Sequence, residues 1–184
     1  MRNIGYMLPF IVLAIGSRGV WAAESASAQL ALQSVTGPTS TYNITLTDTG
    51  TTNLGTFWYA WTPGHDFLAS LPTVTTSPTG WVATITGSGN SSDGYAIQWV
   101  NHTGSALAPG GNFGFGFSTV DNLAALSGFS ASHPTFLVGT SFVYGGAPFS
   151  DAGFQFEVTS VPEPGSLALL GTALAGLLWR RRLI

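Results

Sequence analysis

Side chains that could carry out catalysis are few in this sequence of 184 residues. It has three histidines, His65, His102 and His133, and many serines, but no cysteine. A serine hydrolase needs a serine that is activated by a histidine, which an acid in turn orients. In Gly64-His65-Asp66 an acid follows an imidazole, but neighbours on a strand point to opposite faces, and Gly-x-Ser-x-Gly does not occur. We therefore predict no catalytic residues and no enzyme, with a small secreted hydrolase as the remote alternative.

The acidic residues suggest two other kinds of site. Two carboxylates about 5–9.5 Å apart could hydrolyse a glycosidic bond, but most of these acids lie in predicted turns, where Asp is common. Oxygen atoms of Asp66, Asp93, Asn90 or Asp151 could bind calcium, although the sequence has no EF-hand. We predict no metal site and no cofactor, with calcium as the one ion left open. The acids of the central region are Glu24, Asp48, Asp66, Asp93, Asp121, Asp151 and Glu157.

Aromatic side chains are the more serious candidates for ligand contact. Exposed rings can stack on the apolar faces of sugars, while polar groups in turns bind the hydroxyls. Phe57, Tyr59 and Trp61 alternate along a predicted strand and would share its buried face. Trp58 then lies on the opposite, solvent-facing side. Trp58 is therefore the candidate contact residue of a carbohydrate-binding module.

The elements that must position these side chains are strands. Tyr42, Ile44 and Leu46 alternate with polar residues, and clusters of Gly, Pro, Ser and Asn separate about eight such segments. The one helix candidate covers residues 120–127, with Asp121 as its cap. The pattern predicts an all-β fold, an antiparallel β-sandwich. The predicted strands cover residues 29–35, 42–46, 57–61, 81–86, 95–100, 113–118, 136–143 and 154–158.

One segment adds a more specific expectation about the fold. Residues 42–52, followed by an aromatic strand, resemble the second and third strands of bacterial immunoglobulin-like surface domains. The resemblance implies an immunoglobulin-like sandwich and no particular activity.

The distribution of charge excludes several classes of partner. All basic residues lie near the ends, so residues 19–179 contain neither Lys nor Arg. Contacts with a phosphate backbone depend on such cations, and we therefore exclude nucleic acid as a partner. Salt bridges from Lys or Arg are likewise impossible in this region, so stability must come from burial and backbone hydrogen bonds. The absence of cysteine also removes disulfides.

The N-terminal 22 residues have the three parts of a Sec signal peptide. Arg2 supplies a basic start, residues 4–15 are apolar, and Val20-Trp21-Ala22 fits cleavage after Ala22, with Ala23 and Ala28 as alternative positions. Its removal leaves residues 23–160 as a cargo domain, which is long enough for one hydrophobic core.

The C-terminal segment, residues 161–184, combines a proline-bracketed glutamate, an apolar run and an arginine cluster. The prolines prevent a helix from extending backwards into the domain. Residues 165–179 carry no charge and would form about 22 Å of helix, a marginal transmembrane span. The arginines at 180–182 would stay on the cytoplasmic side of the membrane.

This three-part pattern resembles the PEP-CTERM sorting signal of Gram-negative bacteria that make exopolysaccharide. In that family an exosortase, an integral membrane cysteine protease or transpeptidase, cuts near the Pro-Glu-Pro element. The resemblance covers residues 161–184 and implies transient anchoring in the inner membrane. Delivery to the cell surface, outer membrane or extracellular matrix then follows. The implied sorting residues are Pro162, Glu163, Pro164, Arg180, Arg181 and Arg182.

Together these features predict an exported structural or adhesive protein of the cell surface or biofilm matrix, associated with exopolysaccharide. The expected partners are an exosortase, the membrane before processing, and polysaccharide. The alternative is a carbohydrate-binding module that uses exposed aromatic rings.

Overall fold

The computed structural model describes residues 23–87 and 93–161. The predicted signal peptide, with cleavage after Ala22, and the predicted transmembrane helix at residues 165–179 lie outside these ranges. Within them, no helix combines the length and the apolar character that crossing a bilayer requires.

The described residues form eleven strands and one short helix, which confirms the all-β class. Five of the eight predicted segments lie wholly within strands. The segment predicted at 57–61 is interrupted at Ala60, the one at 95–100 starts at Ala96, and the one at 136–143 starts only at Thr140. The elements are β1 (Ala26–Thr36), β2 (Thr39–Asp48), β3 (Thr56–Tyr59), β4 (Trp61–Thr62), β5 (His65–Asp66), β6 (Val74–Thr76), β7 (Trp81–Thr86), β8 (Ala96–Asn101), β9 (Asn112–Thr119), α1 (Leu123–Leu126), β10 (Thr140–Tyr144) and β11 (Phe154–Ser160).

Nine of the strands join in one sheet, in the order β6-β9-β2-β1-β11-β10-β3-β8-β7, while β4 and β5 form a separate hairpin. Strand β11 lies at the centre of this order and changes partner along its length. Its first half pairs antiparallel with β10, and its second half pairs parallel with β1. The other strand pairs are antiparallel, as predicted.

The two halves of the sheet face each other across an aromatic core, in agreement with the predicted sandwich. The ring of Phe57 on β3 lies 5.3 Å from that of Phe115 on β9, and Tyr59 lies 5.2 Å from Phe117. Trp99 stacks on Phe57 with ring centroids 5.4 Å apart. Because β11 belongs to both halves, one strand connects the two layers of the sandwich.

The inner face of β2 follows the predicted alternation, since Tyr42, Ile44 and Leu46 are all buried. The short helix differs in its cap. Asn122, and not the predicted Asp121, caps α1, because its side-chain Oδ1 accepts a hydrogen bond from the backbone of Ala125. The Asp121 carboxylate instead accepts hydrogen bonds from the backbone and hydroxyl of Ser70.

One acidic residue is enclosed at the end of β2. Asp48 has no exposed surface, and its Oδ1 accepts a hydrogen bond of 2.8 Å from the Gly50 backbone. Its Oδ2 has no hydrogen-bond partner among the described residues. Burial raises the pKa of Asp48 above its ordinary value of 3.8, although the Gly50 hydrogen bond acts in the opposite direction.

The raised pKa of Asp48 predicts that this carboxyl group favours the folded state more at low pH than at neutral pH. A group whose pKa is higher in the folded state stabilises the fold below its ordinary pKa and loses this contribution as the pH rises through the folded value. The contribution of Asp48 to the free energy of unfolding should therefore fall as the pH rises above about 4, by at most about 1.4 kcal/mol per pH unit. Urea unfolding at a series of pH values from about 4 to 7 would measure this dependence of the free energy of unfolding on pH.

The variant Asp48→Asn should raise stability near pH 7 and reduce the dependence on pH, because it removes the buried charge. Glu157→Gln, which alters an exposed acid of β11, should change the profile less. A stability gain from Asp48→Asn that is no larger at about pH 7 than at about pH 4 would contradict the prediction.

Candidate functional site

The first candidate is the tryptophan pair at the end of β3. Ala60, which directly follows β3, has a φ of 58°, in the left-handed region that a non-glycine residue rarely adopts. This backbone turn interrupts the alternation, so Trp61 does not continue the face of Phe57 and Tyr59 as predicted. It stacks instead on Trp58, with ring centroids 4.3 Å apart.

Trp58 does lie on the outer face, opposite Phe57, but the prediction that it faces solvent is wrong. Only 6% of its surface is exposed, because Trp61 covers it. Its Nε1 atom is buried and has no hydrogen-bond partner among the described residues. A ligand could therefore reach Trp58 only if Trp61 moved. The role of Trp58 in ligand contact stays a prediction.

Other rings complete this outer cluster. Phe142 and Tyr144 of β10 are buried beside the tryptophan pair. Phe149 lies over its edge, with 63% of its surface exposed, and its ring contacts those of Trp61 and Tyr144. The outer face of β3 and β10 is therefore a second apolar layer, packed much like the core, rather than an open platform for a sugar.

The second candidate is a cluster of two histidines and an aspartate. His65 begins β5 after the turn at Gly64, whose φ of 92° favours glycine. His133 lies in the segment between α1 and β10, and its Nε2 atom is 2.9 Å from Asp93 Oδ1. The rings of His65 and His133 have centroids 4.3 Å apart. Residues from three distant parts of the chain thus meet at one place.

Backbone hydrogen bonds hold the Asp93 carboxylate in place. Its Oδ1 accepts hydrogen bonds from the backbone nitrogens of Asp66 and Gly94, at 3.0 and 3.1 Å. Burial acts to raise the pKa of Asp93, but these bonds and the one with His133 outweigh it and lower the pKa. Burial, together with the nearby Asp93 charge, raises the pKa of Asp66. The two carboxyl groups thus have opposite pKa shifts at one site.

The Asp93–His133 pair has the acid and base of a hydrolase, but the hydroxyl of Ser130, which contacts the His133 backbone, is bonded elsewhere. Ser130 is buried, and its hydroxyl donates a hydrogen bond to the Phe67 carbonyl oxygen. The same hydroxyl accepts a hydrogen bond from the backbone nitrogen of His133, not from its ring. No described contact places a serine oxygen on the imidazole, so the prediction of no enzyme stays untested rather than overturned.

A second pair of carboxyl groups lies apart from this cluster. Burial and the neighbouring Asp151 carboxylate raise the pKa of Glu24. Asp151 accepts hydrogen bonds from the backbone nitrogens of Gly145 and Gly153 and from the Ser150 hydroxyl. These bonds are typical of a tight turn. Of the oxygen ligands that were considered for calcium, Asp66 and Asp93 come together, Asp151 does not join them, and Asn90 lies outside the described residues.

Sequence reasoning missed the histidine cluster. His65, Asp93 and His133 are far apart in sequence and have no ligand spacing that a motif would reveal. The one usable indication in the sequence was the small number of histidines, because two of the three lie in this cluster. The predicted sorting residues and the predicted cleavage site after Ala22 lie outside the described residues.

Two solved structures show limited similarity to the chain. One is a GH20 exo-β-N-acetylglucosaminidase from Vibrio harveyi, at 13% identity and a TM-score of 0.43. The match covers 74% of this chain, which spans only 18% of that enzyme. The other is a CBM3 protein of Hungateiclostridium clariflavum, at 14% identity and a TM-score of 0.37, covering 77% of this chain and 100% of that one. Similarities this low carry no argument about function.

The C-terminal segment gives a more direct result. No curated protein matches the sequence. Residues 160–182, however, match the PEP-CTERM protein-sorting motif, which confirms the interpretation of the proline-bracketed glutamate, apolar run and arginine cluster. The chain therefore carries the C-terminal sorting signal of an exported exosortase substrate, and the matched segment begins at the last residue of β11.

Proposed function

We propose that this protein is delivered by an exosortase to the cell surface or the extracellular matrix, where its β-sandwich has a structural or adhesive role associated with exopolysaccharide. The observation that carries the proposal is the PEP-CTERM motif at residues 160–182. The predicted Sec signal at residues 1–22 supports it, since the two signals would deliver the domain across the inner membrane together.

The character of the described domain supports a structural role. Residues 19–179 contain no Lys or Arg, so the folded domain offers no basic patch for nucleic acid or anionic lipid. Its interior is filled by stacked and tilted aromatic rings in two layers. Such a domain depends on packing rather than on disulfides, which this cysteine-free chain cannot form.

The sorting residues supply the test of this proposal. In a host that makes the exosortase, replacing Glu163 with alanine, or deleting Arg180 to Arg182, should leave the protein unprocessed. The first change removes the acid of the recognition element, and the second removes the cations that hold the tail in the cytoplasm. Immunoblots of membrane, surface and medium fractions should show the precursor in the membrane and nearly complete loss of the mature form.

The matched control is Glu157→Gln, which neutralises an exposed acid of β11 just before the motif. This variant should mature and reach the surface like the unmodified protein. Normal maturation of both tail variants would contradict sorting by an exosortase. A second outcome would contradict the structural role alone. In that outcome the unmodified protein is sorted normally, but a strain that lacks the protein has an unchanged matrix.

The carbohydrate-binding alternative has less support. Among residues 23–87 and 93–161, all four tryptophans are buried, with at most 6% of each exposed. The exposed aromatic rings are Phe129 and Phe149, which lack the polar atom that Trp and Tyr offer to a hydroxyl. We therefore keep the structural or adhesive role as the single proposed function.

A further inference from the structure

We propose that His65, Asp93 and His133 form a binding site for one divalent transition-metal ion of the zinc class. These residues each offer one ligand atom, and the ligand atoms all lie within 4.8 Å of one another. The inference concerns the cargo domain alone and is independent of the sorting proposal.

The distances suit a metal centre with little rearrangement. Zinc bound tetrahedrally at about 2.0–2.1 Å keeps neighbouring ligand atoms roughly 3.3 Å apart. The Nε2 atom of His133 and the Oδ1 atom of Asp93 are 2.9 Å apart. An ion would take the place of the shared proton, and small rotations of the two side chains would open this gap. His65 needs only a side-chain rotation, because it is exposed at the start of β5.

The surroundings resemble those that orient metal ligands in other proteins. Ligating carboxylates are usually fixed by further hydrogen bonds, and an apolar shell limits access of water. Here the backbone nitrogens of Asp66 and Gly94 fix Asp93. Phe67 lies edge-on to the His133 ring at 5.9 Å, and Phe136 lies 6.3 Å from the His65 ring. The aspartate and both rings therefore have supporting contacts already in place.

The local charge also favours a cation. The backbone nitrogen of Asp66 lies 3.0 Å from the Oδ1 atom of Asp93, so two acidic residues adjoin the site. No Lys or Arg occurs between residues 19 and 179 to balance them. Within the described residues, positive charge at this place can come only from a protonated histidine or from a bound ion. A divalent ion would neutralise both carboxylates at once.

The ligand types decide the class of ion. Calcium and magnesium prefer sets of six or more oxygen ligands, whereas imidazole suits zinc, copper, nickel and cobalt. Two imidazoles and one carboxylate leave a fourth tetrahedral position open, as in zinc sites that bind water. The site is therefore assigned to zinc or a similar borderline ion.

Calorimetric titration of ZnCl₂ into the full-length protein tests the site. The protein should be purified in detergent through a tag without histidine and then stripped of metal with EDTA. One ion should bind per chain, and the midpoint of thermal unfolding should rise with added zinc. Magnesium should produce neither effect. His65→Ala should weaken zinc binding by at least about 10-fold, the lower end of the loss seen when only a supporting partner is removed.

His65→Ala is the most informative variant, because His65 is exposed and its loss leaves the hydrogen bonds of Asp93 and His133 in place. Asp93→Asn and His133→Ala should weaken binding at least as strongly. The matched control is His102→Ala, which removes an exposed histidine on a different turn. Unaltered zinc affinity in His65→Ala, an equal loss in His102→Ala, or no binding to the parent protein would each overturn the proposal.

Discussion

Replacing Phe57 with alanine should lower the free energy of unfolding by about 3–5 kcal/mol. Phe57 has no exposed surface, and its ring contacts the rings of Trp99, Phe115 and Phe156. The loss includes the transfer of the ring from water and the cavity that its removal leaves between the two halves of the sandwich. Because domains of this size have about 5–15 kcal/mol of stability, this single change should bring the fold close to unfolding.

Urea unfolding followed by tryptophan fluorescence would measure the effect of the Phe57 substitution. The matched control is Phe129→Ala, since 66% of the Phe129 side chain is exposed. Its effect should lie within about 0.5 kcal/mol of zero. Similar losses for both variants would contradict the location of the core between β3 and β9.

Replacing Gly80 with alanine should lower the free energy of unfolding by about 2–5 kcal/mol, because a left-handed conformation costs about 1–2 kcal/mol and steric overlap about 1–3 kcal/mol. Gly80 has a φ of 81° and lies in a tight turn that is closed by a hydrogen bond from Trp81 N to Pro78 O. A Cβ atom at this position would overlap with the backbone nitrogen and Cα of Gly104. Backbone atoms cannot move aside as a flexible side chain can. The two turns that flank β7 and β8 would have to separate.

Gly110→Ala is the control that separates backbone strain from overlap. Gly110 has a similar φ of 75°, but a Cβ atom there would meet nothing within 4 Å. This variant should lose only about 1–2 kcal/mol, the cost of a left-handed conformation for a residue with a side chain. Thermal or urea unfolding of both proteins would show the difference. Equal losses would mean that the contact with Gly104 adds nothing.

The strands could be predicted because their pattern is local. Tyr42, Ile44 and Leu46 have the period of two that a half-buried strand requires, and all three are buried. The assignment of faces failed where the backbone departed from regular geometry. The sequence does not indicate that Ala60 has a φ of 58°. Because of this backbone turn, the Trp61 ring lies on the outer face and covers Trp58. The carbohydrate-binding alternative depended on an exposed Trp58 ring, and one residue of irregular backbone geometry leaves that ring buried.

The C-terminal sorting motif and the histidine cluster also differ in whether local sequence reveals them. The C-terminal motif is contiguous, so its prolines, glutamate and arginines could be identified without any knowledge of the fold. The histidine cluster depends on tertiary structure. His65 reaches Asp93 and His133 because the β4–β5 hairpin and the segment before β10 lie side by side, and sequence spacing does not encode that proximity.

The position of β11 has a mechanical consequence. Any tension on the C-terminal tail enters the sandwich through this strand, the fifth of nine in the sheet. The backbone nitrogen of Val161 donates a hydrogen bond to the carbonyl oxygen of Leu30, so the fold extends to the residue directly before Pro162. Because β1 runs parallel to β11, a pull between their opposite ends loads the hydrogen bonds in shear, all together rather than one after another. A domain tethered by its C-terminus would thus bear load through its central strand, first at the pairs with β1 and then at the pairs with β10.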